Sequence, residues 1–210
     1  MFVRLWMTDK PVTMGPRDGV MDARDVMEGL GFRRIPVLDE ERLVGIVTWG
    51  MIERLPAWDI DLSLGQVMHP DPITIDPYAP LDRAVQLMKQ HKVGALPVVS
   101  KGKLVGILTE SNIFEAVRRI IEADTTSASF VCFDMPDSPG CVPRVSQFIE
   151  SFGLEIRSFV THRRAVDVAR RIVAMRVEGC NVPVLIEALW KKRYRVLHVG
   201  TQSEAEPSEA

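Results

Sequence analysis

The sequence predicts an α+β chain built in two parts, and three observations carry the reading. Displaced by 61 residues against itself, the chain lays 3–52 on 64–113 without a gap, and 14 of those 50 positions are identical. Self-similarity at that length marks a duplicated structural unit. Beyond residue 128 the pattern changes to strand, helix, two strands, helix and strand. The 26 basic and 28 acidic residues nearly balance, which argues against a surface tracking nucleic-acid phosphates, since that needs clustered cations. The longest apolar run without charge, 43–52, falls short of the ~18 residues a membrane helix requires.

Each element of the duplicated unit has a local reason. A helical turn ends at Met7 or Met68, followed by a short β segment at 12–14 or 73–75. Leu81, Ala84, Val85 and Met88 then fall at i, i+3, i+4 and i+7, one buried helical stripe. Pro80 suits a first helical turn, and Asp18 is placed to cap the corresponding helix of the first copy. Two apolar strands follow as a hairpin, 35–38 with 43–47 and 96–99 with 104–108. The second copy ends in a helix over 111–122, with Ile113, Val117, Ile120 and Ile121 on one side.

These segments are similar to a known family. Met7-Thr8 with Pro11-Val12-Thr13, then Arg33-Arg34-Ile35-Pro36-Val37-Leu38-Asp39 and Leu43-Val44-Gly45-Ile46-Val47-Thr48, closely resembles a CBS (cystathionine β-synthase) motif. Met68 with Pro72-Ile73-Thr74, Ala95-Leu96-Pro97-Val98-Val99 and Leu104-Val105-Gly106-Ile107-Leu108-Thr109 resembles a second. The resemblance implies a tandem CBS pair, or Bateman module, with one motif over 1–61 and another over 62–123. It also implies two clefts for adenosine-containing ligands such as AMP, ATP or S-adenosylmethionine, and a role in sensing without catalysis.

In such pairs a Gly-h-h-Thr/Ser-x-x-Asp stretch meets ribose and phosphate. Thr48 and Thr109 hold the hydroxyl position here, while Met51 and Asn112 stand where the carboxylate would be. Met51 accepts no useful hydrogen bond, whereas Asn112 can accept one and donate one. One dominant cleft is therefore expected, using Thr109 and Asn112 with Thr74, Ala95, Leu96, Pro97 and Val98. A weaker one uses Thr13, Arg34, Ile35, Pro36, Val37 and Thr48. Bland readings stand beside these: Thr is a good N-cap, so capping ranks ahead of binding for Thr48 and level with it for Thr109. Pro36-Val37 and Pro97-Val98 either present backbone to an adenine ring or begin buried strands. Arg33 and Arg34 either clamp phosphates or sit on a solvated turn.

The stretch 123–128 reads as a linker, and 129–200 as a second domain. A strand at 129–135 leads into Pro136-Asp137-Ser138-Pro139-Gly140, a turn signal. Val145, Phe148, Ile149 and Phe152 have helical spacing, and Leu154, Ile156, Ser158 and Val160 alternate as one face of a strand. A strand at 172–177, a helix capped by Asn181 and a strand at 194–199 complete βαββαβ, the ferredoxin-like order. Asp134–Gly140 and the helix after it, with Phe152-Gly153-Leu154-Glu155-Ile156, resemble an ACT domain, the amino-acid-sensing form of that fold. The resemblance implies a possible amino-acid site at Asp137, Gly140 and Cys141, where backbone N–H groups at a helix start can meet a carboxylate. A plain tight turn is the alternative, and Glu155 is expected to bring negative charge against such a ligand. Residues 201–210 are small and acidic, which reads as a disordered tail.

Two CBS motifs followed by an ACT-like domain resemble the acetoin-utilisation protein B (AcuB) type of bacterial protein. A regulatory protein is implied, with a small-molecule ligand, an unidentified protein partner, a homodimeric assembly and a link to acetoin or acetyl-CoA metabolism. The alternative is a structural or dimerisation module whose clefts have lost their ligands. No P-loop, nucleophile elbow or metal-binding helix is found, so no catalytic residue or catalytic cofactor is expected. Cys132, Cys141 and Cys180, odd in number and without C-x-x-C, read as buried hydrophobes. No apolar leader follows Met1-Phe2-Val3-Arg4. A cytoplasmic protein is expected, with neither membrane nor nucleic acid as partner.

Overall fold

The computed structural model describes residues 1–56 and 61–200; the tail at 201–210, expected to be disordered, lies outside the described residues. The chain divides into two compact units, Met1–Ala116 and Val117–Ala210.

In the first unit the repeat becomes two lobes. α1 (Val20–Leu30), the hairpin β2 (Arg34–Asp39) and β3 (Arg42–Thr48), and α2 (Trp49–Glu53) recur as α4 (Leu81–His91), β5 (Ala95–Ser100) with β6 (Lys103–Thr109), and α5 (Glu110–Ile120). Val20, Ala23 and Met27 of α1 pack on Ile35, Val37 and Val47. Their counterparts 61 residues on, Leu81, Ala84 and Met88, pack on Leu96, Val98 and Leu108. The buried arc of α4 is narrower than the expected stripe, and Val85 at its edge is exposed. α1 starts from Gly19 without a side-chain cap; Asp18 instead accepts from the Gly15 N–H through Oδ2 at 2.7 Å, closing the turn before the helix.

The repeats exchange their leading segments. β1 (Thr8–Asp9) pairs with β6, and β4 (His69–Pro70) pairs with β3, giving the sheets β1-β6-β5 and β2-β3-β4. Val3 N–H donates to Ala79 O at 3.0 Å and Arg4 N–H to Pro77 O at 2.9 Å; Leu64 N–H to Asp18 O and Gly65 N–H to Pro16 O, both at 2.8 Å, repeat these bonds 61 residues along. Val3 is buried in the second lobe's core and Leu64, in α3 (Leu64–Val67), in the first lobe's. β1 and β4 take the β6 and β3 edges of the hairpins, and on the opposite edges the β segments expected at 12–14 and 73–75 contract to single bridges, Met14 with Val37 and Ile75 with Val98. Pro11 and Pro72 each lie between the short strand and its bridge, where a missing N–H ends a ladder.

The second unit runs β7 (Ser129–Pro136), α6 (Cys141–Glu150), β8 (Glu155–Arg163), β9 (Arg170–Glu178), α7 (Val182–Lys191) and β10 (Arg195–Gly200). Its antiparallel sheet has the order β10-β7-β9-β8. Val131, Phe133, Val173 and Met175 of the sheet meet Val145 and Ile149 of α6 and Leu185 and Leu189 of α7 in one core. The even alternation expected along β8 breaks where the register shifts between Ile156 and Ser158. A bulge of one residue reverses the faces beyond it, so Phe159 packs on the core and Val160 is exposed. Asn181 occupies the N-cap position of α7 but makes no side-chain cap; its Nδ2 donates to Phe152 O at 2.8 Å, tying that helix start to the end of α6.

Candidate functional site

Two clefts open at equivalent places in the first unit. The larger, about 630 Å³, is lined by Thr48 and Met51 at the start of α2, by Pro72 and Ile73 after β4, and by Lys92, Gly94 and Ala95 between α4 and β5. The smaller, about 390 Å³, is lined by the residues 61 positions away: Thr109 and Asn112, Pro11 and Val12, and Gly31, Arg33 and Arg34. Each cleft is therefore assembled from both repeats. Arg33 and Arg34 reach the larger cleft as well, so the two clefts share them.

The structure distributes the residues singled out in the first unit among four environments. Thr109, Asn112 and Arg34 meet in the smaller cleft, while Thr48, Ala95 and Arg34 meet in the larger. Ile35, Pro36 and Val37, and likewise Leu96, Pro97 and Val98, are buried within their lobes. The carbonyls of Pro36 and Pro97 accept from Met14 N–H at 3.2 Å and Ile75 N–H at 3.0 Å, so that backbone is engaged internally. Thr13 is half-buried and Thr74 exposed, and neither lines either cleft.

Hydrogen bonding separates the two threonines in the direction opposite to the expected one. Thr109 N–H donates to Asn112 Oδ1 at 2.8 Å, the Thr109 hydroxyl donates to the same oxygen at 2.8 Å, and Asn112 N–H donates to Thr109 Oγ1 at 3.3 Å. This is a reciprocal cap on α5, with Asn in place of the usual Glu or Gln. Thr48 stands at the N-cap position of α2 but makes no side-chain cap, and Met51 three residues on has no side-chain acceptor to return a bond to the Thr48 N–H. A ligand reaching Thr109 must share or displace its cap; one reaching Thr48 meets no such competition.

Arg34 is held by its surroundings. Its guanidinium lies against Gly94, where any Cβ would collide with it, and Nη2 is 3.9 Å from Glu110 Oε2. Lys92, His69 and His91 also line the larger cleft. None of these three was singled out from the sequence. The repeat alignment holds the signal for Lys92, which replaces the Gly31 of the first copy.

In the second unit, Asp137, Gly140 and Cys141 lie together on a depression of about 310 Å³, with Arg163 and Arg171. Gly140 adopts φ 73°, a left-handed backbone that glycine enters without strain, and opens α6. The Asp137 carboxylate accepts from Arg163 Nε at 2.6 Å and from Arg171 Nε at 3.0 Å. Hydrogen bonding to Arg171 and then Arg163 holds its pKa at about 2. Arg163 and Arg171 face each other across β8 and β9, a like-charge pairing that the carboxylate between them makes tolerable. Nearby, buried Asp134 accepts from Arg170 Nε at 2.9 Å and Arg164 Nη1 at 3.1 Å. Glu155 stands outside the depression, where Arg157 Nη1 donates to it at 3.0 Å. The charge conflict expected from Glu155 is therefore met by a neighbouring arginine on its own strand.

Among the described residues, no group of His, Cys, Asp or Glu could hold a metal ion, and no helix is long and apolar enough to cross a membrane.

Two exchanged α/β repeats enclosing a symmetric pair of clefts define a tandem-repeat module with two equivalent candidate sites. The chain belongs to the CBS domain family, whose model matches residues 3–55 and 64–119. It is similar to a solved putative acetoin utilization protein (AcuB) from Vibrio cholerae, with a TM-score of 0.54 and 32% identity over 59% of this chain and 95% of that one. It is also similar to CBSX2, solved in complex with AMP, with a TM-score of 0.52 and 28% identity over 57% of this chain and 97% of that one. Among curated relatives, the inosine-5'-monophosphate dehydrogenase of Korarchaeum cryptofilum is 36% identical over 104 residues, 49% of this chain and 21% of that enzyme. The first curated relatives are thus matched over less than half of their own length, 21%, 22% and 45%.

Proposed function

We propose that this protein is a non-catalytic, cytoplasmic regulator whose CBS pair senses an adenine nucleotide or another adenosyl ligand and signals to a protein partner. The observation that carries the reading is the pair of clefts, each drawing residues from both repeats and both bordered by Arg33 and Arg34. A ligand bridging two repeats stabilises one arrangement of them over others, which is what a sensor requires. The AMP complex of CBSX2 supports an adenine ligand, and the likeness to the Vibrio cholerae protein supports a place in acetoin use.

In this reading Thr48 and Ala95 serve the larger cleft, Thr109 and Asn112 the smaller, and the second unit is an ACT-type domain with Asp137, Gly140 and Cys141 at its ligand loop. Its βαββαβ order and the sheet order β10-β7-β9-β8 support that assignment. The protein acts as a homodimer, for which the exposed Phe114 and Val117 of α5 are the supporting feature.

Titration calorimetry with AMP, ATP and S-adenosylmethionine tests the central reading. Saturable binding of at least one supports it. No binding of any of the three favours a module kept only for dimerisation.

A further inference from the structure

Beyond the larger cleft lies a groove, also about 630 Å³, and the two share Arg34, Lys92, Val93 and Gly94 in their walls. The groove adds Lys89 from α4, and its one acidic residue is Glu110, already 3.9 Å from Arg34. A ligand seated beside Thr48 can thus extend past Arg34 and Lys92 towards Lys89. Arg34 borders the smaller cleft as well, but neither lysine lines it. Displaced by 61 residues, Lys89 becomes Glu28 and Lys92 becomes Gly31, so the only cations lining that cleft are the shared arginines.

The duplication therefore made two similar clefts and placed an added pair of cations beside one of them. Arginine and lysine side chains converging on one channel suit oxyanions in series, because each charged donor binds a phosphate oxygen more strongly than it binds a neutral acceptor. We propose that the larger cleft takes a nucleoside polyphosphate, with the nucleoside beside Thr48 and its terminal phosphates in the groove against Lys92 and Lys89. The smaller cleft, lined by neither lysine, fits a monophosphate or an uncharged adenosyl group. This assignment rests on the adenine-ligand reading above and adds to it the charge class of the ligand and the cleft that selects it.

The test is calorimetry on the full chain at fixed ionic strength with adenosine, AMP, ADP, ATP and inorganic tripolyphosphate. ATP and ADP should bind at least about tenfold more tightly than AMP, the equivalent of one good charged contact. Lys89→Gln, which alters a residue of the groove and not of the cleft, should remove most of that advantage and leave AMP affinity within about twofold, whereas Lys92→Gln, on the wall the two share, should weaken AMP as well as ATP. ATP binding no tighter than AMP, or an unchanged ATP affinity in Lys89→Gln, overturns the proposal while leaving the adenine-ligand reading intact. Tripolyphosphate binding as tightly as ATP overturns the nucleoside half of it. Failure of every adenosine compound overturns the underlying reading, and this proposal with it.

Discussion

The side chain of Met68 fills the space above Gly45, so closely that a Cβ on that glycine would overlap its sulfur, and Met7 lies over Gly106 in the same way. Both pairs join a residue from one repeat's leading segment to a strand of the other repeat. Met7/Met68 and Gly45/Gly106 are identities of the 61-residue repeat, and the exchange of segments gives them a common physical cause. At Gly106 a Cβ would stand 2.6 Å from Met7 Sδ and 3.0 Å from the Thr8 carbonyl. Gly106→Ala should therefore destabilise the protein by about 1–3 kcal/mol, the range for overpacking. Adding Met7→Ala should return part of that loss. Urea unfolding of the two single variants and the double variant measures the coupling; strictly additive losses would show that the sulfur is not what the new methyl group meets.

The two strand-end threonines should respond differently to removal of their hydroxyls. Thr109 caps α5 through Asn112, so Thr109→Ala should cost about 0.5–2 kcal/mol of stability. Thr48 makes no side-chain cap, so Thr48→Val should stay within about 0.5 kcal/mol of the wild type. Comparable losses from both would mean that Thr48 supports its helix in a way its hydrogen bonds do not reveal. Ligand titrations on the pair must be read with this difference in mind: weaker binding in Thr109→Ala mixes a lost contact with a loosened helix start.

Much of this fold was legible because it depends on local pattern. The helices at Leu81–His91 and Cys141–Glu150 and both hairpins follow from apolar spacing and turn residues within a few positions of each other. The exchange of leading segments was not legible, since pairing β1 with β6 or with β3 satisfies the same local pattern; only the distant partner decides. The same limit applied at the site. Thr48 and Thr109 were visible as motif positions, but the grouping of Thr48 with Ala95, and of Thr109 with Arg33 and Arg34, depends on how the repeats face one another. The bulge after Ile156 and the bond from Asn181 to Phe152 were hidden for a related reason. Each answers a tertiary neighbour that alternation and cap statistics do not contain.

Assembly can be tested on α5. Phe114 is 72% exposed and Val117 47%, on a helix whose opposite side carries the buried Ala116. Large apolar side chains left in water on one helix face suit burial against a second copy. Light scattering at micromolar concentration should give a dimer, and Phe114→Glu/Val117→Glu should give a folded monomer. A monomeric wild type would remove the homodimer from the proposal.

The last prediction concerns pH and the second unit. Asp137 accepts from both Arg163 and Arg171, and its pKa stands at about 2 against an ordinary value of 3.8. A carboxylate whose folded-state pKa is depressed contributes stability that is full above its unfolded value and is lost as pH falls through the folded one. The contribution should therefore be complete at neutral pH, begin to fade below about pH 4 and vanish near pH 2. Asp137→Asn should be less stable than the wild type at pH 7, because Arg163 and Arg171 then face each other without a negative charge between them. That gap should narrow as the pH is lowered from 4 to 2, since the wild type loses its charge while the variant has none to lose. Urea midpoints measured at pH 7, 4 and 3 follow the gap directly. A gap of constant size across that series would mean that the side-chain hydrogen bonds, and not the carboxylate charge, hold the loop ahead of α6.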